Sequence, residues 1–208
     1  MKKELVLIFL IIISFAAAFF LYPVLPDRIP IHWNASGQPD DFGSKEFGTF
    51  FLPVLSLAVY LLMFLLPKID PLKKNYESFE NAYFWIRSSM IVFFLLLHGF
   101  VLSYGIGYRF NINYLIIPLI SLLFAVIGIF LPRIKKNWFV GIRTPWTIQS
   151  DRSWEETHNF SGKLFIAAGI ISFFGIFTPF PYILLVASAI SASVASVVYS
   201  YFSFRKNG

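Results

Sequence analysis

Six apolar runs, at residues 5–22, 50–66, 88–104, 114–131, 163–179 and 182–204, constrain this chain more than any other feature. A helix needs about 20 apolar residues to cross a hydrocarbon core about 30 Å thick. The first run alone reaches about 27 Å at the helical rise per residue. Composition agrees, because 57% hydrophobic and 13% charged residues in a chain of 208 leave too little polar surface to solvate a soluble globule. The runs therefore predict an all-α integral membrane protein of six transmembrane helices, forming a single membrane domain over residues 1–208. Such a chain resides in the cell membrane as a multi-pass protein.

The segments between the runs set the orientation. Of the 17 Lys and Arg residues, 14 fall before the first run, between the second and third, between the fourth and fifth with Lys163 at the boundary counted, and after the sixth. Only Arg28, Lys45 and Arg109 occupy the alternate segments. By the positive-inside rule both termini and residues 132–162 are cytoplasmic, and residues 23–49 lie outside. The formal charge of +6 sits mostly beside apolar runs, where basic residues face anionic headgroups. Membrane lipids are thus expected partners, and direct nucleic-acid binding is not. The absence of cysteine excludes disulfides, thiolate metal sites and cysteine nucleophiles.

Residues 16–18 resemble a signal-peptide cleavage site, but the apolar run continues through Phe19, Phe20 and Leu21, so the first helix is expected to stay attached. Pro23, Pro26 and Pro30 then disfavour helix and hold the preceding residues extended. Residues 23–49 read as a proline-stiffened loop turning at residues 34–37. Its candidate binding residues are Pro30, His32, Trp33, Asn34, Gly37 and Asp40. One histidine among carboxylates at irregular spacing lacks a metal-ligand pattern, and these side chains are expected to hold turns by hydrogen bonds.

Asp70 followed by Pro71 predicts a helix start, with Asp70 as N-cap. Tyr76, Phe79, Tyr83 and Ile86 recur at helical spacing while Lys73, Glu77 and Glu80 fall elsewhere, the pattern of an amphipathic interfacial helix leading into the third run. His98 lies in the middle of that run, where an ionisable group is costly and marks a functional or inward-facing position. No run supplies a carboxylate for a proton relay. His98 is therefore expected to be neutral, bonded to a serine hydroxyl or backbone carbonyl of a neighbouring helix. In the last run Ala187, Ser191 and Ala195, and again Ser188, Ala192 and Ser196, recur four apart, predicting a helix approached closely on more than one side.

The polar chemistry gathers in residues 132–162. Trp138, Trp146 and Trp154 stand there among basic and hydroxyl residues, the composition of a membrane-water boundary. The candidate binding residues are Asn137, Trp138, Gly141, Arg143, Thr144, Pro145, Trp146, Trp154, Thr157 and His158. Arg143 offers a planar donor fork suited to a phosphate or carboxylate, Gly141 permits a positive φ or close backbone approach, and Pro145 stiffens the turn. Ser150 or Ser153 can cap the following helix, Ser153 having capping-box spacing with Glu156. On that helix Trp154, His158 and Gly162 share one face.

Two strings carry a resemblance: Leu-Pro-Asp-Arg-Ile-Pro-Ile-His-Trp-Asn-Ala-Ser-Gly-Gln-Pro-Asp at residues 25–40, and Asn-Trp-Phe-Val-Gly-Ile-Arg-Thr-Pro-Trp-Thr at 137–147, followed by Trp154, Thr157 and His158. In that order they resemble the SdpI family of bacterial and archaeal membrane proteins, over nearly the whole chain. The resemblance implies immunity, with a secreted hydrophobic, membrane-active peptide toxin as partner. In the family's named member it is coupled to capture of a transcriptional repressor, which implies a cytoplasmic repressor protein as a second partner and signal transduction through the inner loop. The family pattern places basic or mixed residues after Trp154 and a basic residue after the histidine. Here Glu155, Glu156 and Asn159 make the inner face less basic.

Other functional classes find less support. There is no His-Glu-x-x-His, no Gly-x-Ser-x-Gly and no phosphate-binding glycine loop, and three histidines at three depths cannot share one metal. Neither an enzyme nor a cofactor is expected. A small-solute or lipid transporter is the alternative, but it calls for paired charges or broken helices within the spans. Only His98 answers that description.

Overall fold

The structure is a computed structural model that describes residues 2–207. It divides into two compact units, residues 1–62 with 88–116, and residues 63–87 with 117–208. Among the described residues there are seven α-helices: α1 (Lys2–Leu21), α2 (Lys45–Ile69), α3 (Tyr76–Gly105), α4 (Asn113–Phe130), α5 (Pro145–Gln149), α6 (Asp151–Gly175) and α7 (Pro181–Asn207). Two strands, β1 (Arg28–Trp33) and β2 (Pro39–Ser44), pair antiparallel. Five helical segments are long and apolar enough to cross a membrane: Lys3–Val24, Lys45–Ile69, Lys73–Gly105, Asn113–Arg133 and Pro181–Lys206. The chain is a multi-pass membrane protein. α6, which holds residues 163–175 of the expected fifth run, is not among the five, because its N-terminal half carries Asp151, Arg152, Glu155, Glu156 and Lys163 and it ends at Gly175, leaving too short an apolar stretch.

In the first unit the region read as a loop is a β-hairpin. Arg28 pairs with Ser44, Pro30 with Phe42 and Trp33 with Pro39, and the register shifts between Pro30 and His32. Of the prolines, only Pro30 and Pro39 lie in its strands, and both are compatible with it because each strand of a two-stranded sheet has an unpaired edge, where a missing N–H leaves no partner unsatisfied. Ile31 is the extra residue at the shift, a bulge that re-aims side chains. Beneath the hairpin, Leu25, Ile29, Leu52, Val101 and Leu102 form a buried cluster. Burial of such a side chain contributes about 1.5–3 kcal/mol.

His98 ties three helices of this unit together. Its Nε2 faces the Thr49 carbonyl oxygen at 3.0 Å, an atom that only accepts, so Nε2 carries the proton. Nδ1 then accepts from the Ser14 hydroxyl at 2.8 Å. These are the serine and carbonyl partners expected from sequence, and no carboxylate among the described residues is bonded to either nitrogen.

In the second unit Asp70 does not start a helix. It ends α2, its N–H bonding the Leu66 carbonyl, and its Oδ1 accepts from the Leu72 N–H at 2.7 Å. A short 3₁₀ turn follows at Lys73–Asn75. α3 then runs unbroken in name from Tyr76, with a kink at Phe79 (φ −130°, ψ 22°). The expected apolar face is real: Tyr76, Phe79, Tyr83 and Ile86 are buried, while Lys73, Glu77 and Glu80 are exposed.

Close helix contacts here come from glycine. A Cβ on Gly162 of α6 would meet the Gly128 carbonyl of α4 at 2.7 Å, and one on Gly169 would meet the Ser121 carbonyl at 2.7 Å. α7 presents one packed face rather than two: Ala192, Ser196, Ser200 and Ser203 are buried, whereas Ala187 and Ser191 are exposed. The single stripe suits packing against α6, where the Ser172 and Ser188 hydroxyls meet at 3.0 Å.

Candidate functional site

The loop of residues 132–150 is built around Asn137, which is fully buried. Its Oδ1 accepts from the N–H groups of Phe139 (2.9 Å) and Val140 (2.7 Å) and from the Tyr76 hydroxyl (3.2 Å). Its Nδ2 donates to the Lys135 and Val140 carbonyls. One side chain thereby satisfies the backbone of a turn that lacks its own ladder. Asp70, at the end of α2, holds the same turn, its Oδ2 accepting from the Trp138 N–H at 2.9 Å and the Tyr76 hydroxyl at 3.1 Å. Read locally, an Asp before Pro looks like a cap. Besides its local bonds to Leu72 and Tyr76, it holds a partner 68 residues away.

The next contact joins the loop to α6. His158 is fully buried; its Nε2 accepts from the Ile142 N–H at 3.1 Å, so the proton resides on Nδ1, which donates to the Trp154 carbonyl at 2.7 Å. The Trp154 ring stacks on the imidazole, with centroids 4.2 Å apart, and its indole N–H donates to the Ile134 carbonyl at 2.7 Å. Burial lowers the His158 pKa to about 4, the bond to the Trp154 carbonyl opposing it in part. Gly141 has φ +109°, and a Cβ there would sit 2.4 Å from His158 Nε2. Both properties anticipated for this glycine are used at once.

Thr144, Pro145 and Thr147 form the second half of the loop. Thr144 caps α5 in a reciprocal capping box with Thr147, and Pro145 takes the first helical turn, where its missing N–H does no harm. The Thr144 hydroxyl donates to the Ser200 Oγ of α7 at 3.0 Å. Trp146 packs edge-on against Tyr201 of α7, centroids 5.2 Å apart. Ser150, not Ser153, caps α6. Ser153 lies inside the helix and donates to the Ser200 carbonyl, which leaves Glu156 to receive Ser203 and Arg152. Thr157 is buried, and its hydroxyl has no partner among the described residues. Arg143 is exposed and donates from Nη1 to the Trp138 carbonyl. No carboxylate of the described residues forms an ion pair with it, and Trp138 is 47% exposed beside it.

The hairpin of β1 and β2 is a separate device. Asn34 Oδ1 accepts from the N–H groups of Ser36 and Gln38 at 3.0 and 3.1 Å, and Gly37 has φ +76°. The tip is gripped by the link between α3 and α4. Asn111 Nδ2 donates to the Ser36 carbonyl, Asn113 Nδ2 to the Ala35 carbonyl, and the Ile112 N–H to the Gly37 carbonyl. A Cβ on Gly37 would lie 1.8 Å from Asn111 Oδ1. Neither Asn111 nor Asn113 stands out in sequence, since each is one asparagine in a short polar link. His32 pairs across the hairpin with Asp40 at 2.6 Å, both side chains exposed. Pro30 is buried and Trp33 half-buried. Among the described residues no three His, Asp or Glu side chains cluster as a metal site.

Similarity to known proteins follows the same two regions. The model of the SdpI/YfhL protein family matches residues 133–200, and that of a domain of unknown function, DUF1648, matches residues 9–57. The chain is 28% identical over 208 residues to Immunity protein SdpI of Bacillus subtilis (strain 168), covering 99% of this chain and 98% of that protein. An uncharacterized protein of Archaeoglobus fulgidus is 33% identical over 70 residues, covering 31% of this chain and 38% of its own. The uncharacterized membrane protein YbgB of B. subtilis is 40% identical over 45 residues, covering 22% and 50%. No solved structure matches significantly. The SdpI/YfhL family model covers α5, α6 and most of α7, and the similarity to the B. subtilis immunity protein runs from end to end of this chain.

Proposed function

We propose that this protein confers immunity on the cell that carries it, against a secreted, membrane-active peptide. The observation that carries the reading is the end-to-end similarity to a protein named for immunity. In this reading the chain is one membrane domain of six spans, residues 163–179, which begin on α6, supplying the fifth. The distribution of Lys and Arg, 14 against three, supports cytoplasmic termini, a cytoplasmic inner loop and an outer hairpin that faces the peptide. The inner loop, with exposed Trp138 and Arg143, is the surface available to a cytoplasmic repressor or to lipid headgroups.

The test is expression in a host sensitive to such a peptide. Survival at concentrations that lyse cells carrying the empty vector, without solute uptake in liposomes, is the expected result. Equal killing at normal membrane abundance would refute immunity, and measurable solute uptake would favour a transporter.

A further inference from the structure

In the second unit a cavity of about 300 Å³ lies where the approach to α3, the segment after α4 and the start of α6 come together, and Asn75, Ser78, Lys135, Lys136, Asp151 and Glu155 line it. That volume is at the lower end of small-ligand sites, about 300–1,000 Å³. Its wall is tied by its own polar groups. Asn75 Nδ2 donates to the Lys136 carbonyl at 2.7 Å, and the Ser78 hydroxyl to the Asn75 carbonyl at 2.6 Å. Lys136 pairs with Asp151. Lys135 and Glu155 form no ion pair among the described residues, and both are exposed. The cavity thus offers one uncommitted cation and one uncommitted carboxylate.

Its depth narrows the occupant. Asn75 and Ser78 stand near the start of one membrane-crossing segment, Lys73–Gly105, and Pro132, also on the wall, near the end of another, Asn113–Arg133. Both segments leave the hydrocarbon here, at the level of lipid headgroups. Trp85, seven residues beyond Ser78 and about 10 Å along the helix, is 54% exposed and stacks on Phe130 of α4, centroids 6.2 Å apart. An exposed tryptophan at that depth marks the boundary where acyl chains begin. Charge narrows it further. Basic pockets receive anionic headgroups, whereas two lysines against two carboxylates favour a headgroup that carries both signs. A carboxylate accepts hydrogen bonds, so Glu155 suits a primary ammonium; a quaternary one has no N–H to give and is held by aromatic faces instead.

We propose that this cavity binds the headgroup of phosphatidylethanolamine, with the lipid phosphate on Lys135, its ammonium on Glu155, and an acyl chain descending over Trp85 and Phe130. Neither Trp138 nor Arg143 lines the site, and the inference does not rest on the immunity reading.

The test titrates the purified full chain in maltoside micelles with the palmitoyl-oleoyl forms of phosphatidylethanolamine, phosphatidylcholine and phosphatidylglycerol, and native mass spectrometry counts the bound lipid. The ethanolamine lipid should bind at least about fivefold more tightly than either of the others, the effect of a charge-assisted hydrogen bond. Glu155→Gln should remove that preference, and Lys135→Gln should weaken all three lipids. Glu155→Lys sets three lysines against one carboxylate and should turn the preference to the glycerol lipid, a gain that a misfolded chain cannot mimic. An excess of glycerophosphoethanolamine, the headgroup without its chains, should leave the bound lipid in place. Equal binding of the three lipids, an ethanolamine preference that survives either substitution of Glu155, or displacement by glycerophosphoethanolamine would overturn the proposal, the last by identifying a site for a soluble zwitterion.

Discussion

Replacement of Gly141 by alanine tests whether the inner loop is held by the close approach of its backbone to His158. Two costs arise together. Alanine at φ +109° occupies a region that only glycine enters freely, worth about 1–3 kcal/mol. Its Cβ, 2.4 Å from His158 Nε2, also displaces the imidazole from the Ile142 N–H, and a buried donor left unpaired costs about 1–3 kcal/mol more. Gly107 separates the two, because its φ is +105° and nothing lies within 4 Å of a Cβ built there. Gly107→Ala should show the backbone cost alone, so Gly141→Ala should be less stable by about 1–3 kcal/mol. Reversible unfolding in mixed micelles by SDS titration measures both, and hydrogen exchange at Ile142 reads the broken bond directly. In a His158→Ala background the Cβ has room, and Gly141→Ala should then cost no more than Gly107→Ala. Equal destabilisation by the two substitutions in the native background, with Ile142 protection intact, would refute the reasoning.

Other outcomes follow from the same contacts. The depressed pKa of His158, about 4 against 6.5, means the unfolded chain binds the extra proton first as pH falls. This contribution is complete above pH 6.5 and is lost progressively down to about pH 4, by roughly 3 kcal/mol; His158→Gln should flatten the dependence in that window, and an identical slope in the variant would exclude His158 as its source. His98→Gln retains one donor and one acceptor and should hold stability within about 1 kcal/mol, whereas His98→Asp should abolish insertion or folding; normal folding with lost protection in His98→Gln would point to proton handling. Arg143→Lys keeps the charge but loses the planar fork, so it should insert normally and lose most protection, while Trp138→Phe loses little; full protection by Arg143→Lys would leave only charge at the headgroups. Cysteines at Ser36 and Ser150 should react with an impermeant reagent from opposite sides of the membrane, and labelling of both from outside would overturn the orientation.

Hydropathy and spacing by themselves determined that the chain enters a membrane as helices, because the cost of unsatisfied backbone in hydrocarbon is local and applies to every apolar run. They determined which face of α3 is buried at Tyr76, Phe79, Tyr83 and Ile86, since helical period is a local property. The chemistry of His98, Gly141 and Pro145 was also legible, each through a constraint carried by its own residue type. The partners were decided by tertiary structure. Ser14 meets His98 across 84 residues, Ala35 meets Asn113 across 78, and Trp138 meets Asp70 across 68. Prolines that forbid helix do not say whether an extended segment will pair, so the hairpin of β1 and β2 needed the buried floor of Leu25, Ile29 and Leu52 to define it. A polar group advertises that it needs a hydrogen bond, but which group answers depends on which segments packing brings together, and that is settled only when the whole chain has folded.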